Sequence, residues 1–261
     1  MNTAANPDQP SQSNPEPAHP EDEFGSRSRF CSRQFLVKQW KDWRWFILFV
    51  FFVLIPVKSS LADWNWVPTG SMNPTIIEGD MVFVNKAAYD LRFPLTMLRI
   101  TRWAEPEIGD IVVVFSPEDG KRLVKRVAGR PGDEIEMKDN VLFINGQPLQ
   151  YQPKTQAIGK DLSPVFRREA EFAEEEMSGV THWVMYLPRL GLARSDFAKT
   201  RVPPGKLFVI GDSRDNSYDS RNFGAVDREM VVGRAGSVIV SFDKPNGWQP
   251  RWHRFFTSLY R

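Results

Sequence analysis

Asp110-Ile111-Val112-Val113-Val114-Phe115, then Ser116-Pro117-Glu118-Asp119-Gly120, then Lys121-Arg122-Leu123-Val124-Lys125-Arg126-Val127-Ala128: this stretch decides the class of fold. Two short runs rich in β-branched residues flank a cluster of turn formers. Such runs suit a pleated, half-buried surface better than a helix. Strands are expected at 110–115 and 121–128. The same texture runs from residue 79 onward and predicts further strands at 81–86, 140–144, 181–187, 206–210 and 230–242. Asn145-Gly146, between NVLFI and QPLQY, is a hairpin signal because both residues tolerate positive φ. Residues 166–177 (FRREAEFAEEEM) read as one exposed helix or a charged loop. The expected fold is mainly β, with few helices.

Working toward the N-terminus, residues 1–28 are Pro, Ser, Asn, Gln, Asp and Glu with almost no large apolar groups. They bury too little surface to offset their ordering entropy, so disorder is expected. A basic segment follows, with Arg27, Arg29, Arg33, Lys38, Lys41 and Arg44. The apolar run Trp45–Val57 comes next. A spanning helix needs roughly 20 residues. Trp43 through Ala62 supplies that length, with Arg44 and Lys58 at its ends and Trp43, Trp45, Trp64 and Trp66 placed as interfacial aromatics. The competing readings are a cleavable signal peptide cut near Ser60-Leu61-Ala62 and a buried soluble helix. The long tail ahead of the run weighs against the first, and the cationic flank against the second. The expected organisation is a disordered, basic cytoplasmic tail at 1–42, a transmembrane anchor at 43–62 and an extracytoplasmic β domain at 63–261. Positive charge stays inside, which sets that orientation.

The totals exclude several classes. A net charge of +2 gives no support to a polyanion binder, so no nucleic-acid partner is expected. The lone Cys31 makes neither an internal disulfide nor a zinc site. His19, His182 and His253 are far apart and sit near no nucleophile motif, which weighs against Ser–His–Asp hydrolysis and against a metal site. No metal or organic cofactor is expected.

Three segments carry chemistry. In Pro68-Thr69-Gly70-Ser71-Met72-Asn73-Pro74-Thr75 a serine stands among turn residues, which by itself equally describes a plain turn. Its place some 14 residues after the apolar run keeps it within about 45 Å of chain from a bilayer. In the second segment, strand alternation puts Leu123, Lys125 and Val127 on one face. A lysine between aliphatics on a core-facing surface is dehydrated, which lowers its pKa; only a neutral amine can take a proton from a hydroxyl. Arg126 cannot do so. An exposed lysine on an open sheet face is the alternative. The third segment, Gly211 through Arg221, crowds charges of both signs after a strand. It fails the EF-hand pattern and fits a hydrogen-bonded knot of ion pairs, or else a solvated turn.

Together these segments resemble the type I signal peptidases, membrane serine proteases that use a Ser–Lys pair. The resemblance runs from the anchor to about Lys244. Its boxes are Pro68–Thr75; Gly79-Asp80 with Val82 and Val84; Gly109–Phe115 with Lys125-Arg126-Val127 and Gly129-Arg130-Pro131-Gly132-Asp133; and Gly211-Asp212 through Asp219-Ser220-Arg221. Four boxes in order are a specific match. The resemblance implies antiparallel sheets with a smaller inserted β region at 137–205, of which 150–200 carries no matching motif. It implies Ser71 as nucleophile, Lys125 as general base, Thr69 with the Ser71 N–H as oxyanion donors, and Ser217 as the hydroxyl that orients the lysine. Asp212, Asp219, Arg126 and Arg221 would be structural charges near the site. Ser213 and Arg130 depart from the usual Asn and apolar residue. The implied activity is removal of signal peptides after small residues at the first and third positions before the cut. The implied setting is the bacterial inner membrane, with preproteins and lipid as partners, the enzyme a monomer and its catalytic domain on the periplasmic side. Another Ser–Lys peptidase, or a non-catalytic anchored β domain that binds exported proteins, are the competing functions; retention of both Ser71 and Lys125 argues against the second. Ser241-Phe242-Asp243-Lys244 spells Ser-x-x-Lys without companion motifs and is discounted. The tail from Trp248 to Arg261 fits either a membrane-interface segment or a packed terminus.

Overall fold

The computed structural model describes residues 43–96, 98–154, 159–190, 196–244 and 246–260. The tail expected at 1–42, with His19 and Cys31, lies outside them. Helix α1, Trp43–Leu61, is long and apolar enough to cross a membrane. It widens into π turns at Val50–Leu54 and Val57–Leu61, on either side of Pro56. Proline has no N–H to donate and its ring crowds the preceding turn, so the α-ladder breaks there.

Strands follow as β1 (Ala62–Trp66), β2 (Asp80–Asn85), β3 (Asp90–Arg92), β4 (Arg99–Arg102), β5 (Ile111–Phe115), β6 (Arg122–Gly129), β7 (Glu134–Lys138), β8 (Val141–Ile144), β9 (Gln147–Pro148) and β10 (Gln150–Lys154). After the short helix α2 (Pro164–Glu169) come β11 (Glu171–Met177), β12 (Val180–Tyr186), β13 (Phe197–Arg201) and β14 (Lys206–Ile210). The chain ends with α3 (Ser220–Phe223), β15 (Val226–Asp227), β16 (Val231–Asp243), β17 (Gln249–Pro250) and β18 (Thr257–Ser258). Among the described residues the main sheet runs β1-β2-β16-β5-β6-β14-β15, with β17 and β18 beside β16. Smaller sheets are β10-β11-β12, β13-β7-β8-β9 and the pair β3-β4. The strand pairings are antiparallel, as the expected fold class requires.

The valine run of β5 has no polar alternation because both of its faces are covered. Ile111 and Val113 pack with Val82, Val84 and Val238; Val112 and Val114 pack with Val127, Val209 and Val231. β16 crosses the sheet and shifts register near Gly233 and Gly236. A Cβ at Gly233 would lie 2.5 Å from the Asn85 carbonyl, so the close crossing of β2 needs glycine. Asn145 (φ 53) and Gly146 (φ 80) form the expected turn from β8 to β9. The C-terminal tail packs on the domain: Arg254 reaches Asp80 at 2.6 Å, Leu259 enters the core, and the Tyr260 hydroxyl accepts from the Ile111 N–H at 2.8 Å.

The reading of 166–177 as one helix or a charged loop is corrected. Helix α2 stops at Glu169, Ala170 turns extended, and 171–177 is strand β11 between β10 and β12. Tertiary partners decide this. Phe172, Ala173 and Met177 are buried, and Glu175 is fully buried because Arg214 meets it with two hydrogen bonds of 2.7 and 2.6 Å. A buried carboxylate of this kind survives only with such a partner. Glu175→Ala should therefore lower stability by about 3–5 kcal/mol, since Arg214 would be left charged and unpaired. Replacing both residues with apolar ones of similar volume should recover most of the loss. Urea unfolding of the two variants checks this, and equal destabilisation by both would contradict it.

Candidate active site

Ser71 lies in the turn that joins β1 to β2. The turn is fixed from both flanks. Asn73 N–H donates to the Gly70 carbonyl at 3.1 Å and Ile76 N–H to the Met72 carbonyl at 2.9 Å. Met72 and Ile76 are core residues, so Ser71 between Gly70 and Met72 is held half-buried in place. Gly79 closes the turn at φ 90, where a Cβ would sit 2.0 Å from the Phe242 carbonyl. Only glycine fits that point.

Lys125 lies on β6, paired with Val112, with Leu123 and Val127 flanking it in the same hydrophobic cluster. The expected burial is present: the residue is 2% exposed. Its Nζ and Ser71 Oγ are hydrogen-bonded at 2.6 Å, across 54 residues of sequence. Burial pulls the amine down to about 8, against the upward pull of the Asp219 and Asp212 carboxylates, while Arg221 adds to the fall. An amine with that pKa is substantially neutral near pH 8 and can accept a hydroxyl proton there.

The segment from Gly211 to Arg221 closes the site. Ser213 N–H donates to the Ser71 carbonyl at 3.2 Å. A Cβ on Gly211 would lie 2.2 Å from Ser217 Oγ and 2.4 Å from the Ser71 carbonyl oxygen, so glycine alone lets these backbones meet. Arg126 donates twice to Asp212, at 2.8 and 2.7 Å, and once to the Gly109 carbonyl at 2.8 Å. Burial by itself would raise the Asp212 carboxyl, but the Arg126 charge holds it below the ordinary range. Asp219 caps α3, accepts from Gly211 N–H at 2.9 Å and pairs with Arg221 at 2.9 and 2.8 Å. Its carboxyl is likewise held low: burial acts upward, and Arg221 outweighs it. The four charges read from sequence thus form two buried pairs around the amine.

Two sequence-derived residues are placed less tightly. Thr69 is exposed, two residues before Ser71, and its hydroxyl makes no hydrogen bond to any described residue. Ser217 is packed against Gly211 beside Ser71, but its hydroxyl makes no hydrogen bond to Lys125. The structure also brings in residues that the sequence did not single out. Thr75 Oγ1 donates to Asp212 at 2.5 Å, and His182 Nε2 stands 3.1 Å from Glu175 and 3.9 Å from Asp212. Arg214 reaches the Gly211 carbonyl at 3.3 Å while holding Glu175. Arg214 and Thr75 fall inside the quoted boxes, so a tighter reading of those boxes had a signal to use. Glu175 left none, lying in a stretch that looks solvated, and His182 left none because its expected strand carries no neighbouring motif. Among the described residues no group of three His, Cys, Asp or Glu is placed to hold a metal ion.

A family model described as signal peptidase, peptidase S26, matches residues 40–240. The signal peptidase I of Pseudomonas fluorescens is 33% identical over 208 residues, covering 75% of this chain and 71% of that protein. The signal peptidase I of Rickettsia canadensis is 35% identical over 217 residues, covering 77% of this chain and 80% of that protein. A crystal structure of a signal peptidase I from Enterococcus faecalis is 32% identical and covers 50% of this chain and 97% of that one; its TM-score of 0.31 is too low to bear on the fold. The chain belongs to the signal peptidase family, peptidase S26.

Proposed function

We propose that this chain removes N-terminal signal peptides from exported proteins as a membrane-bound serine endopeptidase, with Ser71 as nucleophile and Lys125 as general base. The observation that carries the reading is the 2.6 Å hydrogen bond between a buried, downshifted amine and a hydroxyl on a rigid turn. Neutral Lys125 takes the hydroxyl proton as Ser71 Oγ attacks the scissile carbonyl. The oxyanion meets the Ser71 N–H, which has no acceptor among the described residues, and the hydroxyl of Thr69, two residues before it. Donors of this type are worth about 2.7–4 kcal/mol each elsewhere. Protonated Lys125 then donates to the leaving amine, and water releases the peptide from the serine ester. Asp212, Asp219, Arg126 and Arg221 act as structural charges that hold the amine in place. Ser217, packed against Gly211 beside Ser71, is the orienting hydroxyl in this reading.

The open strand edges support an extended substrate. β1 is the outer strand of its sheet, and β14 pairs only with residues 126–129 of β6, so the N-terminal half of β6 has a free edge leading to Lys125. A peptide can add a strand there, with shallow pockets admitting small side chains at the first and third positions before the cut. The N-terminus lies in the cytoplasm, α1 is the anchor in the bacterial inner membrane, and the β domain works outside as a monomer. The exposed aromatics Trp66, Trp248, Trp252 and Phe256, linked through Phe242 and Phe255 by ring contacts of 4.9–6.5 Å, rest on the lipid surface.

Three outcomes are expected from a purified preprotein assay. Ser71→Ala and Lys125→Arg should each lower kcat by a factor on the order of 10⁴ or more while the thermal melt stays cooperative; substantial activity in Lys125→Arg would remove the base assignment. Because the amine must be neutral to act, kcat/KM for the native chain should climb about tenfold per pH unit below 8 and level off above it. A profile that falls between pH 6 and 8 contradicts the sign. Finally, a preprotein with Phe just before its cut site should stay uncut where the Ala form is processed, as read by sequencing the product N-terminus; equal processing would end the small-pocket claim.

A further inference from the structure

A side-chain bridge stands beside the free edge of β6. Tyr218 directly follows Ser217, and its hydroxyl donates to the Glu118 carboxylate, 3.0 and 2.9 Å from the two oxygens. Glu118 belongs to the turn between β5 and β6, which is itself tied down. Gly120 N–H donates to the Ser116 carbonyl at 3.0 Å, Ser116 N–H to the Lys121 carbonyl at 2.8 Å, and Glu118 N–H to the Ser116 hydroxyl at 3.3 Å. The bridge therefore runs from the Lys125 end of β6 to the tip of its hairpin. That is the span over which β14 leaves β6 unpaired.

Strand alternation assigns the bridge to one face. Leu123 and Phe223 pack against the cluster of Val112 and Val127, and the Tyr218 ring rests on Phe223 with centroids 5.7 Å apart. Val124 points the other way, toward Val67 and Met72, which stand on either side of Ser71 in the chain. Arg122, on that second face, crosses to Asp63 and Asn65 of β1 at 3.0 and 2.9 Å. A peptide added to the β6 edge alternates in the same way, because cross-strand neighbours share a face. Its first and third side chains before the cut fall on the Val124 face, among the residues that flank Ser71. The second falls on the Leu123 face, against Tyr218 and Glu118.

The chemistry offered there is specific. Tyr218 is 55% exposed and presents its ring, with the Glu118 carboxylate at the far end. The neighbouring charges are turned to other partners: Asp119 pairs with Lys121 at 2.7 Å, and Arg122 is held by β1. A side chain with an apolar stem and a cationic head matches this pair. The stem lies along the ring, and the head meets a carboxylate that keeps lone pairs beyond those given to the tyrosine. An acidic side chain would meet like charge.

From this we infer that Glu118, oriented by Tyr218, is a specificity-determining residue that reads the second side chain before the cut and favours lysine or arginine there over aspartate or glutamate. The inference rests on the proposed cleavage of signal peptides bound as a strand at the β6 edge, and adds a recognised position to it. Tyr218 is a positioning residue, since it acts through Glu118.

Three preproteins test this, with Ala at the first and third positions before the cut and Lys, Gln or Glu at the second. Full-length protein in detergent should cleave the Lys form with a kcat/KM about threefold to fivefold above that of the Glu form, with Gln between, and the spread should shrink in about 0.5 M salt. Glu118→Gln should bring the three together, and Glu118→Lys should reverse their order. Tyr218→Phe should narrow the Lys-to-Glu ratio and leave the Gln preprotein unaffected. Both side chains are exposed, so each variant should melt as the native chain does. Equal rates for the three preproteins, cut at the expected bond by the native chain, sink the inference and leave the signal-peptide reading standing. An order that survives Glu118→Lys overturns it too, because the discriminating charge then lies elsewhere. A ratio untouched by Tyr218→Phe removes the orienting role. Failure of the native chain to cut any of the three removes the signal-peptide reading and the inference with it.

Discussion

Dehydration of the Lys125 amine is the constraint to which the surrounding structure answers. In water a lysine is charged across the neutral range and useless as a base. Between Leu123 and Val127, under a sheet and against the Ser71 turn, the charged form loses its hydration and the pKa falls to about 8. Dehydration is also a cost, since an amine with no partner in a closed site destabilises the fold when protonated. The Ser71 hydroxyl at 2.6 Å supplies one hydrogen bond, and the Asp219 and Asp212 carboxylates, too distant to pair with it, limit the fall. The balance leaves an amine that can change protonation state near pH 8.

The two buried ion pairs explain how the site stays assembled. Arg126 sits on β6 and Asp212 in the segment that follows β14, and Thr75 adds a third hydrogen bond from the Ser71 turn. Asp219 and Arg221 belong to one capped helical turn whose carboxylate also grips Gly211. A buried carboxylate left without its arginine would be strongly destabilising, so the partners constrain one another's positions. Since Ser213 binds the Ser71 carbonyl and Gly211 packs against it, the same pairs fix Ser71. Position and protonation thus come from one network.

Polarity outside the site follows a different rule. The β3–β4 hairpin buries Asp90 among Arg92, Arg99 and the distant Arg228 and leaves apolar side chains exposed, and the ring pairs Trp66–Trp248 and Trp252–Phe255 leave indole rings in the open. These surfaces would be faults in a water-soluble enzyme. Beside the end of an apolar helix they leave large apolar side chains exposed.

Much was legible in the sequence because it was local. The valine runs gave the strands through side-chain shape, Asn145-Gly146 gave a turn through backbone freedom, and the length of Trp43–Leu61 gave a membrane-length helix. The Ser71 and Lys125 boxes stood out as local patterns, and folding brings their two side chains to 2.6 Å. What the sequence could not decide was which distant groups meet. Strand 171–177 looked like a charged helix or loop because the arginine that neutralises Glu175 lies 39 residues away. Thr75, His182 and Arg214 joined the site only through folding. The inverted hairpin was invisible for the same reason: whether an arginine or a leucine faces inward depends on which surface it meets, and only the tertiary structure brings those surfaces together.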